Sequence, residues 1–253
     1  MDLRFLCHSR REDNNTRYPD LTFMLIAHRG DKVRQPANTI AAFEAAHGLG
    51  TCAIQIDVRF SADGTPWCFH DDQVQLPGHS STRAFHQLHD RELRQLPLNP
   101  LIQVVDWASC HRHLDWFIEV SATCLTRLGT ARVVETLMEL LRAERDSFAL
   151  LTGNHHCLRL ARSRNWHRVA LKVERVARCL SPEVVTLAPD YLLIRDKRVE
   201  TAELPPGPWQ WVVYEINSAE EAVHWRTRGA HHILTGNLPL LMRSREASDV
   251  YEF

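Results

Sequence analysis

Short apolar runs alternate with amphipathic stretches along most of this chain. Residues 21–27 form an apolar run that closes at His28, the pattern of a buried strand. Pro36-Ala37-Asn38-Thr39 then opens a helix. Asn38 or Thr39 can cap it, Ile40 and Phe43 begin its apolar stripe, and Gly48 and Gly50 offer a stop. Residues 52–60 read as a second strand, Asp63-Gly64 as a turn, and residues 67–69 as an extended segment ending at His70. A His-rich stretch to about Arg112 reads as short helices and loops, and residues 114–120 as a third strand. Val133, Leu137, Leu140 and Leu141 stand at helical spacing. Residues 148–151 and 169–173 are a fourth and a fifth strand, with a helix near 155–164 between them. Residues 183–187 and 191–194 both suit the sixth. Residues 209–216 are the seventh, and the capping box Ser218-Ala219-Glu220-Glu221 opens a helix running to about Gly229. Residues 231–234 are the eighth strand and 238–245 a closing helix.

Repeated strand–helix units predict a parallel α/β fold. A closed eight-fold barrel and an open doubly wound sheet both have this rhythm, although no GxGxxG follows the first strand, against the dinucleotide-binding version. The 253 residues suit a single large domain. Residues 1–20 read as a polar arm, 21–246 as the fold and 247–253 as a tail. The Pro-rich 204–208 stretch reads as a stiff loop within the domain. A net charge of −1 gives no footprint for nucleic acid or an anionic membrane. The seven cysteines are odd in number and contain no CxxC pair, so neither a disulfide framework nor a zinc knuckle is expected. With no apolar run near the ~20 residues that span a bilayer and no signal-peptide core, the expectation is a cytoplasmic, soluble protein. Its oligomeric state is left open.

The strand ends hold the candidate chemistry. The first closes on Ala27-His28-Arg29-Gly30. The second contains Gln55-Ile56-Asp57, with Phe69-His70-Asp71 in its continuation, and the third contains Glu119-Val120-Ser121. Side chains at i and i+2 share a strand face, so Gln55 pairs with Asp57 and Glu119 with Ser121. Oxygen atoms of Gln55, Asp57 and Glu119 suit a hard cation such as Ca²⁺ or Mg²⁺. His28 and His70 suit a general acid and base, without assignment of which is which. Arg29 suits an anion. Together they fit phosphodiester cleavage. The plainer readings are a structural ion pair for the carboxylates, a satisfied amide for Gln55 and a buried imidazole for His28. The pairs His155-His156 and His231-His232 read as surface or loop positions. His79, His86 and His89 fall where a covering loop is expected, and Trp209 and Trp211 read as strand packing on one face.

The runs AHRG, PANT, CAIQIDVRFSADGTPWCFHDD and FIEVS resemble, in order, the motifs of the glycerophosphodiester phosphodiesterase family. Its pattern runs HRG, PENT, an E-x-D strand, a D-G turn, an H-D pair and an E-x-K strand. The stretch from Val212 to Pro239 resembles the family's later segments, and the likeness is thin over 122–208. It implies a TIM-type (β/α)8 barrel, a divalent metal, and a small phosphodiester substrate cleaved to glycerol 3-phosphate and an alcohol. By position His28 and His70 match its catalytic histidines, Arg29 its phosphate-contacting arginine, and Asp57 and Glu119 two of three metal carboxylates. Gln55 stands in place of the third, which implies weakened binding of Ca²⁺, Mg²⁺ or Mn²⁺. Ser121 replaces a phosphate-facing Lys, Ala37 the Glu of PENT, and His231 and Gly236 two late Asp. These departures leave two alternatives: a catalytically impaired module that binds a phosphate ligand, and an enzyme of another class on the same barrel.

Overall fold

The structure is a computed structural model that describes residues 23–78 and 80–249. The apolar runs become eight strands: β1 (Leu25–His28), β2 (Ala53–Phe60), β3 (Asp115–Val120), β4 (Phe148–Thr152), β5 (Val169–Val173), β6 (Tyr191–Arg195), β7 (Gln210–Tyr214) and β8 (His232–Thr235). Each pairs in parallel with the next, and β8 pairs with β1. The last pairing closes the sheet, so the fold is a TIM-type (β/α)8 barrel and not an open sheet.

Period-two alternation divides the side chains between two cores. On β2, Ile54, Ile56 and Val58 face the surrounding helices, and Ala53, Gln55 and Asp57 face the barrel axis. The same parity sets Trp116 and Ile118 outward on β3 and Phe117 inward. The barrel interior is filled by Ile26, Ala53, Phe117, Ala149, Leu151, Ala170, Tyr191, Leu193, Val212 and Leu234. Near the strand starts, Arg168 donates to Asp115 (2.6 Å) and to the Tyr191 hydroxyl (2.6 Å). That polar plug lies at the end of the barrel opposite the strand C-termini.

The helices form where the stripes predict them. Thr39, not Asn38, caps helix Ile40–Gly48, accepting from the Ala42 amide at 3.2 Å. Helix Thr130–Leu140 buries Val133, Val134 and Leu137. Ser218 and Glu221 form the expected capping box of helix Ala219–Thr227. Residues 183–187, one of two candidates for the sixth strand, lie in helix Pro182–Leu187. Pro182 suits its first turn, Val184 and Leu187 bury one face, and Ala188 ends it in a left-handed conformation. Tyr191–Arg195 is therefore the sixth strand. A second helix, Ala122–Leu128, follows β3 at once.

Segment Pro66–Cys68 adds antiparallel to the end of β2. Beyond it, a hairpin of Gln73–Gln75 and Thr82–Ala84 covers a small core of Trp67, Leu76, Phe85, Leu88 and Leu93. This insertion carries His70. Trp209 and Trp211 both pack in the core, as expected. The arm over 1–20, His79 and residues 250–253 of the tail lie outside the described residues. Among the described residues no helix is long and apolar enough to cross a membrane.

His232 departs from the expected surface position, because it is an inward residue of β8 and is buried. Its Nδ1 accepts from the Met24 amide (3.2 Å), and its Nε2 donates to Gln210 Oε1 (2.7 Å). Burial, then the charges of His231 and Arg168, push its pKa down to about 3. The unfolded chain binds a proton near pH 6.5 that the folded chain refuses. Stability therefore falls as pH drops below 6.5, by about 1.4 kcal/mol per pH unit for this one group. Urea midpoints measured from pH 7 to pH 5 should fall steeply for the wild type and less steeply for His232→Gln.

Candidate active site

β1 ends at His28, and the chain then turns back sharply. Arg29 and Gly30 both take left-handed backbone angles, φ 67° and 78°. A Cβ on Gly30 would sit 2.7 Å from the Ala42 carbonyl carbon, so only glycine lets this turn lie against the following helix. Asn38 is also left-handed (φ 61°), a conformation that asparagine tolerates. Freed from capping, its side chain grips Asp57: Nδ2 donates to Oδ2 at 3.0 Å, and Oδ1 accepts from the Asp57 amide at 3.0 Å.

Asp57 and Glu119 are partners across the β2–β3 register. Gln55 ties them together, its Nε2 donating to Asp57 Oδ1 (3.1 Å) and to Glu119 Oε2 (3.2 Å). Each carboxylate also meets a cation. Arg29 Nε lies 2.8 Å from Asp57 Oδ2, and Lys172 Nζ donates to Glu119 Oε1 at 2.6 Å. Lys172, an inward residue of β5, also sits 5.0 Å above the Tyr214 ring. Burial works against its charge, but the Glu119 carboxylate outweighs it and raises the Lys172 pKa above the ordinary lysine value. Next to them Arg195 Nε donates to Glu215 Oε2 at 2.6 Å, with Glu215 itself left-handed at φ 70°.

The histidines have opposite settings. His70 Nδ1 is 2.7 Å from Asp71 Oδ1, and its carbonyl accepts from Arg59 Nε at 2.9 Å. His28 Nδ1 is 3.1 Å from Lys32 Nζ. Burial first, then Lys32, Arg29, Lys172 and His70, push the His28 pKa down to about 2. Lys32 is lowered too, by burial and then by Arg29. Its stem crosses Gly236, where a Cβ would come within 2.8 Å of Lys32 Cε.

His28, Arg29, Asp57, His70 and Glu119 line one cavity of about 260 Å³ at the strand C-termini. Gln55 is fully buried beneath it. Ser121 is not among the lining residues. It caps helix Ala122–Leu128 by accepting from the Cys124 amide (3.3 Å) and receives a hydrogen bond from Arg59 Nη1 (3.2 Å). The sequence reading missed Lys32, Asn38, Lys172, Arg195 and Tyr214. Lys172, Arg195 and Tyr214 were within reach of it: each is a polar residue with inward parity near the end of its strand, like Glu119. Lys32 and Asn38 carry no such mark, since their roles come from turns. Among the described residues the remaining histidines stay outside the cavity. His89 binds Asp63 (2.7 Å), and His86 is not among the lining residues.

Among the described residues no three His, Cys, Asp or Glu side chains gather to hold a metal. Gln55 supplies the missing third position: its Oε1 is buried with no hydrogen-bond partner, although its amide faces two carboxylates. A turned amide would offer that orphaned oxygen beside Asp57 and Glu119, so three oxygen donors are present. The set fits a divalent cation, with two negative charges instead of three and with Lys172 competing for Glu119.

The barrel mouth thus gathers two imidazoles, paired carboxylates and several cations in one place. Residues 28–188, well over half of the chain, match the model described as the Glycerophosphoryl diester phosphodiesterase family, and the chain belongs to that family. It is 47% identical over 51 residues to the glycerophosphodiester phosphodiesterase of Caldanaerobacter subterraneus, covering 20% of this chain and 21% of that one. It is 43% identical over 76 residues to glycerophosphodiester phosphodiesterase 1 of Bos taurus, covering 30% and 22%. The chain thus spans about a fifth of the length of these curated relatives. Its fold is similar to that of an Oleispira antarctica phosphodiesterase solved in complex with the product sn-glycerol-3-phosphate, with a TM-score of 0.73 and 18% identity over 88% of this chain and 96% of that one.

Asn38 makes two hydrogen bonds to Asp57, one of them to its charge. Asn38→Ala should cost about 1.5–3 kcal/mol, the range for bonds to charged groups. A urea titration checks this, and Asn38→Asp should be worse still because it sets a second carboxylate against Asp57.

Proposed function

We propose that this cavity hydrolyses glycerophosphodiesters, or a related small phosphodiester, to glycerol 3-phosphate and an alcohol. The observation that carries the reading is the pair of imidazoles on one cationic cavity, each with its Nδ1 against a charged side chain. Asp71 accepts the Nδ1 hydrogen of His70, which leaves the Nε2 lone pair free. His70 is then the general base that takes the proton of the attacking hydroxyl. The Lys32 ammonium donates into Nδ1 of His28, which places the His28 hydrogen on Nε2. His28 is the donor to the leaving oxygen. As it gives up that hydrogen, Lys32 supplies one to Nδ1, so the ring stays neutral. The depressed pKa of Lys32 suits that transfer.

Arg29 and Lys172 face the same cavity and take the charge of the phosphoryl oxygens. Gln55, Asp57 and Glu119 would hold a divalent cation, Ca²⁺, Mg²⁺ or Mn²⁺. When bound it would supply further electrostatic stabilisation of phosphoryl charge. The Gln55 tie between the two carboxylates favours one rival reading, a module that binds a phosphate ligand without turning it over.

Hydrolysis of a glycerophosphodiester panel, with and without added divalent metal, separates the readings. Metal-stimulated turnover is expected in the wild type, with about 10²–10⁴-fold lower kcat in His70→Ala and His28→Ala, the usual worth of acid–base groups. Gln55→Glu should tighten metal binding by calorimetry. Binding of glycerol 3-phosphate with no turnover, in the wild type and in Gln55→Glu alike, would establish the binding module. The pH profile gives a second check. Because the Lys32 pKa is lowered, its proton leaves earlier as pH rises, so kcat/KM should fall on the alkaline side well before an ordinary lysine titrates. Lys32→Arg keeps the charge but cannot give up that proton, so it should lower kcat across the whole profile.

A further inference from the structure

A second cavity, about 700 Å³ in volume, opens beside the first. The two share Lys172, Arg195 and Tyr214 as a common wall. Its far side is cationic. Arg175 and Arg178 come from the turn after β5, and Arg198 from the turn Asp196–Arg198 after β6. Both turns lie at the strand C-termini, on the catalytic side of the barrel. His155, at the start of helix His155–Ser163, closes the wall, and Glu174 is the sole carboxylate among the lining residues.

The three arginines differ from the cations around them. Arg29, Lys172 and Arg195 are each ion-paired, to Asp57, Glu119 and Glu215. Among the described residues Arg175, Arg178 and Arg198 have no ion-pair partner, and all three are exposed. Glu200 and Glu183 feel the charges of Arg175 and Arg178 only from beyond salt-bridge distance, so three guanidiniums without a direct partner stand round one hollow, where like charges repel. An anion seated among them would relieve the repulsion and accept forked hydrogen bonds. His155 Nδ1 is buried without a partner on the same wall and offers one more polar contact.

We infer that the larger cavity receives the leaving group, and that this leaving group is an alcohol carrying a further phosphate. The inference rests on the phosphodiesterase reading of the neighbouring cavity. About 260 Å³ holds a phosphoryl group with glycerol, and about 700 Å³ holds a substantially larger polar alcohol. A scissile phosphoryl group at Arg29 and Lys172 would place its leaving oxygen toward the shared wall, with the second phosphate beyond it among Arg175, Arg178 and Arg198. Cationic alcohols such as choline would meet repulsion there.

The test compares two substrates that differ by one phosphate, glycerophosphoinositol and glycerophosphoinositol 4-phosphate, on the wild type and on Arg175→Ala/Arg178→Ala/Arg198→Ala. These side chains are exposed, so the fold should persist, and circular dichroism checks that. The wild type should favour the phosphorylated substrate in kcat/KM by about tenfold or more, and the triple variant should bring that ratio close to one. Equal kcat/KM for both substrates in the wild type would overturn the inference and leave the phosphodiesterase reading standing. If neither substrate is turned over, the phosphodiesterase reading fails, and calorimetry with inositol 1,4-bisphosphate judges the groove alone. Binding by the wild type that is lost in the triple variant supports the anion site. Absent or unchanged binding overturns it. Co-sedimentation with phosphatidylglycerol vesicles, abolished in the triple variant while the bisphosphate does not bind, would overturn it by assigning the arginines to a lipid surface.

Discussion

Two carboxylates on neighbouring strands point into a closed barrel, and the mouth is arranged around neutralising them. Asp57 is buried and Glu119 half-buried at the cavity wall, and each carboxylate meets hydrogen-bond donors and a cation. Gln55 gives one amide hydrogen to each, Arg29 and Asn38 complete Asp57, and Lys172 completes Glu119. Each partner comes from a different place: a strand, two turns and a strand three positions round the barrel. The left-handed angles of Arg29 and Asn38 make sense in this light. Those turns are bent to bring a guanidinium and an amide onto one carboxylate, and the backbone accepts the strain where the electrostatic return is largest.

That dependence explains which parts were legible in the sequence. Strand parity needs only a period of two, and the shared face it expects for Gln55 and Asp57 is the inward face of β2, joined by Glu119 across the register. Helix starts were legible where a side chain caps an amide, as at Ser218. The sixth strand was not, because residues 183–187 carry β-branched and apolar side chains that suit either state. Pro182 and the buried pair Val184 and Leu187 decide for helix only once the barrel offers a surface to pack on. His232 was misplaced for a related reason. A histidine beside another histidine looks polar in a list of residues, yet inward parity on β8 carries it into the core, where Gln210 and the Met24 amide satisfy both ring nitrogens.

The family pattern places a phosphate-facing lysine at position 121. Ser121 instead caps a helix and holds Arg59, while an ammonium group reaches Glu119 from Lys172 on β5. The position of a charge in space, not in sequence, is what the cavity requires, and a barrel mouth can be reached from many strands. Lys32 shows the same economy. It lies over Gly236, where the pattern has an aspartate, and a side chain there would collide with its stem. Reading the departures one at a time counts charges lost. In three dimensions the cations stand round the two imidazoles that match the family pattern.

The redistribution also bears on specificity. Lys172 and Arg195 stand in the wall between the two cavities, each tied to a carboxylate that faces the smaller one. A substrate with one phosphate needs only the near face of that wall. A substrate with two would meet cations on both faces, and the pull of its distal phosphate on Lys172 and Arg195 would loosen their hold on Glu119 and Glu215. The wall residues Lys172, Arg195 and Tyr214 belong to both cavities, so any ligand of one cavity touches side chains that line the other.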